Sequence, residues 1–71
     1  MTPKQCRAAR ALLGWNQESL ARAAGCSVLT VRNFEKGRRA LMPNNRQAIV
    51  DAFAKAGIEF IPDGVRQCRK P

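Results

Sequence analysis

The chain has no histidine, and its three cysteines, Cys6, Cys26 and Cys68, show no paired spacing. Zinc sites and disulfide frameworks are built from regularly spaced cysteines and histidines, so neither is expected and no metal is predicted. The thiols are expected to be reduced. Cys6 and Cys26 then serve as small core residues, and Cys68 lies on a strand of the C-terminal tail.

Acidic residues are scarce and scattered. The five are Glu18, Glu35, Asp51, Glu59 and Asp63, and they show no metal-ligand spacing. No nucleophile is paired with a base, and no glycine-rich loop is suited to cradle a phosphate. We therefore expect no catalytic residues, no cofactor and no small-molecule ligand, and an enzyme is the least favoured class.

Long apolar runs are missing as well. No segment approaches the roughly 20 apolar residues of a spanning helix, and the N-terminal residues lack the apolar core of a secretory signal. The expected location is the cytoplasm, at the nucleoid.

The net charge is +8 and the pI about 10.8, which indicates a polyanionic partner. Because the basic residues are spread over several predicted helices, nucleic acid is favoured over a membrane.

Helix-start and helix-stop residues divide most of the chain into predicted helices over about 3–13, 17–24, 28–35 and 44–56. The expected N-terminal caps are Thr2 with Gln5 as a capping box, then Asn16, Ser27, and either Asn44 or Asn45. In the last helix, Ile49, Val50 and Phe53 have the spacing of a core-facing stripe, and Trp15 is expected to join that core. With 71 residues and 45% hydrophobic content, one small domain is expected, and oligomerisation would add to its stability.

The second and third helices have the layout of a helix-turn-helix. Gly25 stands where the turn requires a positive φ, and Ala21 stands where only a methyl group fits between crossing helices. Leu20, Val31 and Phe34 are the expected contacts between the helices. The alternative is an ordinary helical hairpin with a glycine cap. A helix-turn-helix presents its second helix to the DNA major groove.

The tail alternates like a β-hairpin. Residues 58–61 and 65–69 are the predicted strands, and Pro62, Asp63 and Gly64 form the predicted three-residue loop. The expected fold is therefore mainly α, with a four- to five-helix domain over 1–56 and a hairpin over 57–71. The hairpin is the expected dimerisation element, and pairing within or between subunits stays open. The expected dimer contacts are Ile58, Phe60, Ile61 and Val65.

Three segments carry a resemblance: RALLGWNQESLA over 10–21, GCS over 25–27 and FEKG over 34–37. Together they resemble the phage repressor and Cro-like helix-turn-helix family over about residues 3–56. The tail is similar to an extension found in many small bacterial regulators of this type. The resemblance implies a DNA-binding domain of four to five helices.

The resemblance also implies site residues. Gln17 would bind a phosphate and brace the third helix, and Ser27 would cap that helix and contact a phosphate. The positions that face base edges are Val28, Leu29 and Asn33, with Arg32 beside them. Arg10 and Glu35 match a buried, structural ion pair. The positions after the third helix suit phosphate contacts, and they hold Lys36, Arg38, Arg39 and, in the next helix, Arg46.

The reading face departs from the family because Val28 and Leu29 are apolar. Apolar groups contact thymine methyls but make no bidentate hydrogen bonds, whereas asparagine pairs well with adenine and arginine with guanine. We therefore expect recognition through thymine contacts, Arg32, Asn33 and DNA shape.

A sequence-specific regulator, by default a repressor, is the leading functional hypothesis. It would bind a two-fold operator as a homodimer, with the third helix in the major groove. The alternative from a different class is a protein-interaction module on the same scaffold, such as an antitoxin or a transcription cofactor. Non-specific nucleic-acid packaging is third. Host or mobile-element origin, the operator and the sign of regulation stay open.

Overall fold

Four helices and one β-hairpin make up residues 1–68, the part of the chain that this computed structural model describes. The helices are α1 (Pro3–Leu13), α2 (Gln17–Ala24), α3 (Val28–Glu35) and α4 (Pro43–Lys55). The strands are β1 (Ile58–Ile61) and β2 (Gly64–Gln67). The predicted mainly α fold with a C-terminal hairpin is confirmed, with four helices in the described residues.

Side-chain caps fix the starts of the first three helices as predicted. At α1, Thr2 Oγ1 accepts from the Gln5 amide at 3.1 Å, and Gln5 Oε1 accepts from the Thr2 amide at 2.9 Å. Asn16 Oδ1 accepts from the Ser19 amide at 2.7 Å, and Ser27 Oγ accepts from the Thr30 amide at 3.1 Å. These bonds satisfy amides that the first turn of a helix leaves free.

The predicted start of α4 was wrong. The helix begins at Pro43, and Met42 occupies the N-cap without a side-chain hydrogen bond. Asn44 and Asn45 lie inside the first turn. Proline suits the first helical position because its φ is already helical and its missing amide hydrogen has no partner there anyway. Pro43 therefore occupies the first position of the helix.

The core lies between all four helices and the first strand. Cys6, Leu20, Val31, Ile49 and Phe53 are fully buried. Cys6 is a core residue as expected, and Cys26 is half-buried and packs against the core.

Two further core predictions had different outcomes. Trp15 stacks on Phe53 with ring centroids 5.9 Å apart, so it joins the core as expected. Val50 is only half-buried, because it directly follows Ile49 and adjacent helical residues do not share a face.

The hairpin has a two-residue loop, so the predicted three-residue loop was wrong. Ile61 pairs with Gly64 across the antiparallel register, which leaves only Pro62 and Asp63 between the strands. The second strand ends at Gln67, so the exposed Cys68 lies just beyond it. The predicted strand residue 69 lies outside the described residues.

The hairpin packs on the helices of the same chain, with β1 against α4 and β2 against α1. Phe60 meets Phe53 edge to face, with centroids 5.8 Å apart. Gln5 Nε2 donates to the carbonyls of Ile61, at 2.8 Å, and Gly64, at 3.0 Å. One α1 side chain therefore caps its own helix and also holds both ends of the hairpin loop.

Candidate nucleic-acid interface

The turn between α2 and α3 sets the direction of the third helix. Gly25 ends α2 with a φ of 71°, a conformation that side chains disfavour. Ala21 is 2% exposed and Leu20 fully buried, so the two helices approach closely. On α3, the buried residues are Val31, Phe34 and Glu35. Its opposite side is consequently left facing outward.

The four expected base-reading residues are not equally available. Leu29 is 58% exposed, and Arg32 is exposed beside it. Asn33 is half-buried, and Val28 is half-buried and packed against the core. Leu29 and Arg32 therefore form the outermost part of α3, with Asn33 at its margin.

Glu35, at the end of α3, is the centre of a buried polar cluster. Arg10 donates to both carboxylate oxygens, from Nε at 2.7 Å and from Nη2 at 2.6 Å. Gln17 Nε2 donates to Oε1 at 3.1 Å, and Cys6 Sγ donates to Oε2 at 3.1 Å. Residues of α1, α2 and α3 thus meet at one carboxylate.

Burial alone would raise the pKa of Glu35, but the hydrogen bonds from Arg10, Cys6 and Gln17 outweigh it and lower that pKa. Burial raises the pKa of the Cys6 thiol, and the neighbouring Glu35 carboxylate raises it further. The cluster therefore consists of an ionised carboxylate, a guanidinium and a protonated thiol.

Two donors in this region were not expected from the sequence. Arg7 Nη1 donates to the backbone carbonyl of Glu35, which is left free at the end of α3. Cys6 was expected only to fill space, yet its thiol bonds Glu35. Both residues lie within one helical turn of Arg10, so the i, i+3 and i, i+4 spacing around Arg10 was the available signal.

The expected phosphate-binding residues fall into two groups. Gln17 is half-buried and engaged with Glu35, so its position braces α3. Ser27 is exposed, and its hydroxyl shares a hydrogen bond with Thr30 Oγ1 at 2.8 Å. The other group consists of exposed basic residues that follow α3 in the chain, and its members are Lys36, Arg38, Arg39 and Arg46.

Charge is strongly one-sided around this face. Residues 28–46 contain five basic side chains and a single acid, Glu35. Because Glu35 is 4% exposed and paired with Arg10, it does not neutralise the surface. Two other ion pairs, Glu18–Arg22 and Glu59–Arg66, lie on α2 and the hairpin. The result is an uncompensated positive surface suited to a polyanion.

A cleft of about 290 Å³ opens beside α3, between that helix and the segment leading into α4. Leu29 and Asn33 line it from α3, and Arg39, Met42 and Asn45 line it from the other side. Met42 is 68% exposed and was not among the expected site residues. No motif signals it, because its place beside α3 depends on the path of the connecting loop.

The expected dimer residues of the hairpin also differ in availability. Ile58 is 5% exposed and belongs to the hydrophobic core. Phe60 and Val65 are half-buried and pack against that core. Ile61 is half-buried and lies outside the core cluster. Of the four side chains, that of Ile61 is therefore least engaged with the rest of the chain.

Two negative findings concern residues 1–68. No group of three or more metal-binding side chains comes together there. None of the helices in this part of the chain has both the length and the apolar character needed to cross a bilayer.

Comparison with known proteins agrees with the geometry. No curated protein matches the chain. A family model described as helix-turn-helix matches residues 7–59, which takes in most of α1, all of α2, α3 and α4, and the start of β1. The chain therefore belongs to the helix-turn-helix family of DNA-binding transcription regulators.

Proposed function

We propose that the protein is a sequence-specific repressor that binds a two-fold operator as a homodimer, with α3 in the major groove. The observation that supports this most directly is the exposed face of α3, where Leu29 and Arg32 project beside an uncompensated basic surface. A helix presented in this way fits the width of the major groove.

Specificity in this proposal comes from a small set of contacts. Arg32 pairs with guanine and Asn33 with adenine, while Leu29 and Val28 contact thymine methyls. The exposed basic residues contact phosphates and fix the position of the protein without reading sequence, and they are Lys36, Arg38, Arg39 and Arg46. Ser27 and Gln17 contact the DNA backbone, Ser27 near the start of α3 and Gln17 at the start of α2.

Dimerisation would double the few base pairs that one copy reads. The hairpin is the proposed interface, with Ile61 at its centre and Phe60 and Val65 at its edge. Half-sites would then lie about 10 bp apart centre to centre, or a multiple of that. If the dimer makes about six phosphate contacts, the plot of log affinity against log salt should have a slope of about −5.

Substitutions on α3 test the reading role. Arg32→Ala and Asn33→Ala should each weaken operator binding by about 5- to 150-fold, the range for one bidentate base contact, with little change on unrelated DNA. Arg22→Ala is the matched control, since it removes one exposed arginine from α2. Equal weakening on operator and unrelated DNA would reassign Arg32 to phosphate binding and contradict the proposed reading.

The dimer is tested by Ile61→Lys, which should give monomers in sedimentation and lose operator affinity. Gln47→Lys adds the same charge to the exposed side of α4 and should remain dimeric. Circular dichroism checks that both variants stay folded. A folded Ile61→Lys protein that remains dimeric would place the interface elsewhere.

A protein-interaction module, such as an antitoxin or a transcription cofactor, is the second candidate. It is favoured by the exposed apolar Leu29 on α3, where a DNA reader more often has a polar residue. On this second function, Arg32→Ala and Asn33→Ala would leave the protein partner bound, so the variants that test the first candidate also separate the two.

A further inference from the structure

We propose that Met42 and Leu29 together form a contact site for the C5-methyl group of thymine. Met42 would then determine specificity from outside α3. The inference rests on the proposed DNA-reading function and adds a residue that the helix-turn-helix pattern does not assign.

The starting observation is the placement of exposed apolar side chains. In residues 1–68 the exposed large hydrophobic residues are Leu12, Leu29 and Met42, at 46%, 58% and 68%. Leu12 lies alone on α1, which is ordinary for a small protein. Leu29 and Met42 line the same cleft, although they come from different elements. Two such side chains in one concavity indicate a binding site more than chance exposure does.

Folding does not account for either side chain. Neither residue belongs to the core cluster or to the hydrophobic residues packed against it. Met42 occupies the N-cap of α4, but its side chain makes no capping bond. Both side chains are therefore free to contact a ligand, and their substitution should leave the fold intact.

The rest of the cleft indicates the chemistry of the occupant. Asn33 and Asn45 contribute amides and Arg39 a guanidinium, around the apolar surface of Leu29 and Met42. This combination suits a small apolar group attached to a polyanion. In the major groove, the apolar group that a base edge presents is the thymine C5-methyl. Methionine suits such a contact because its flexible, polarisable thioether adapts to the shape of its partner.

The test uses operator DNA obtained by selection, in which each thymine of one half-site is replaced in turn by deoxyuridine. This exchange removes only the methyl group and retains base pairing. For the wild-type protein, one replacement should weaken binding about fourfold, as expected for losing the burial of one methyl group. Met42→Ala should weaken binding to the thymine operator to a similar degree and should lose most of its sensitivity to the replacement.

Leu12→Ala is the matched control, because it shortens an exposed leucine outside the cleft. It should keep both the wild-type affinity and the wild-type response to deoxyuridine. Leu29→Ala should behave like Met42→Ala, and circular dichroism verifies that each variant is folded.

Several outcomes would overturn the inference. They are an operator without thymine in its half-site, a wild-type protein indifferent to every replacement, and a Met42→Ala protein as sensitive as wild type. In each of these the selected operator still binds, so sequence-specific binding stands, although the first two outcomes also remove the thymine contacts proposed for Leu29 and Val28. Unchanged affinity of Met42→Ala for the thymine and deoxyuridine operators would likewise overturn the inference. Failure to select any operator would instead contradict the proposed function, and the inference with it.

Discussion

The guanidinium of Arg10 holds both oxygens of the Glu35 carboxylate, at 2.7 and 2.6 Å, and thereby ties α1 to the last residue of α3. Their side chains are only 17% and 2% exposed. Gln17 and Cys6 complete the shell around the carboxylate. Since α3 is the proposed reading helix, this cluster fixes the angle at which it is presented.

Removing one member of this pair should destabilise the protein strongly. Arg10→Ala leaves the Glu35 carboxylate buried with half of its donors, and such losses cost about 3–5 kcal/mol. The free energy of unfolding, from urea titration followed by circular dichroism, measures the effect. Arg22→Ala breaks the exposed pair with Glu18 and should cost about 0.5 kcal/mol or less. Similar losses in the two variants would contradict the structural role of Arg10.

Stability should fall in acid because of Glu35. Its pKa is lowered on folding, so in the titration range the unfolded chain binds more protons than the folded one. The stabilisation is present above the unfolded pKa, near 4.5, and is lost as the pH drops through the lower folded value. Urea titrations at pH 3 to 6 should show this decline, and Glu35→Gln should flatten it.

The control for this pH dependence is Glu59→Gln. Hydrogen bonds from Arg66 lower the pKa of Glu59 as well, but this pair is exposed to solvent and its effect is screened. Glu59→Gln should therefore retain most of the acid sensitivity. An acid profile that disappears in Glu59→Gln and persists in Glu35→Gln would show that the wrong carboxylate was assigned.

The three thiols should react in a fixed order. Cys68 is exposed, Cys26 half-buried and Cys6 buried, and burial raises the pKa of both Cys26 and Cys6. Because the thiolate is the reactive form, iodoacetamide at neutral pH should modify Cys68 first and Cys6 last. Mass spectrometry of timed samples gives the order. Rapid labelling of Cys6 in the folded protein would show that the cluster opens readily.

Gln5 should support the hairpin independently of its capping role. Gln5→Ala loses the bonds to Ile61 and Gly64, which should cost about 1–3 kcal/mol of unfolding free energy. Gln5→Glu keeps the capping acceptor but turns a carboxylate toward two carbonyls, so it should destabilise comparably. Thr2→Ala removes only the cap and should cost about 1 kcal/mol. If Gln5→Glu is as stable as wild type, the hairpin bonds contribute nothing.

Local signals explain why so much of the helical fold was predictable. Thr2, Asn16 and Ser27 bond amides three residues ahead, so each sets a helix start through its own short-range chemistry. Few other residue types suit the positions of Ala21 and Gly25, so the turn between α2 and α3 could be predicted from the sequence. The Arg10–Glu35 ion pair was predicted from the family resemblance, because no local pattern connects two residues that are 25 apart in sequence.

The wrong predictions arose where one residue type suits two kinds of local structure. Pro43 suits both a loop and the first turn of a helix, and Gly64 suits both a turn and a strand end. The contacts of Gln5, Cys6 and Arg7 depend on tertiary approach. Helical spacing places Cys6 and Arg7 beside Arg10 but does not identify the groups that they bond. The cleft at Met42 has the same origin, because its two sides belong to segments separated by a loop.

Selection of bound sequences from random double-stranded DNA at about 150 mM salt tests sequence-specific recognition by a dimer most directly. At this ionic strength non-specific phosphate contacts are weakened, so retained sequences report base reading. The proposed function predicts enrichment of a two-fold symmetric site with half-sites about one helical turn apart, or a multiple of that. Binding that persists at low salt without any enriched sequence would contradict it.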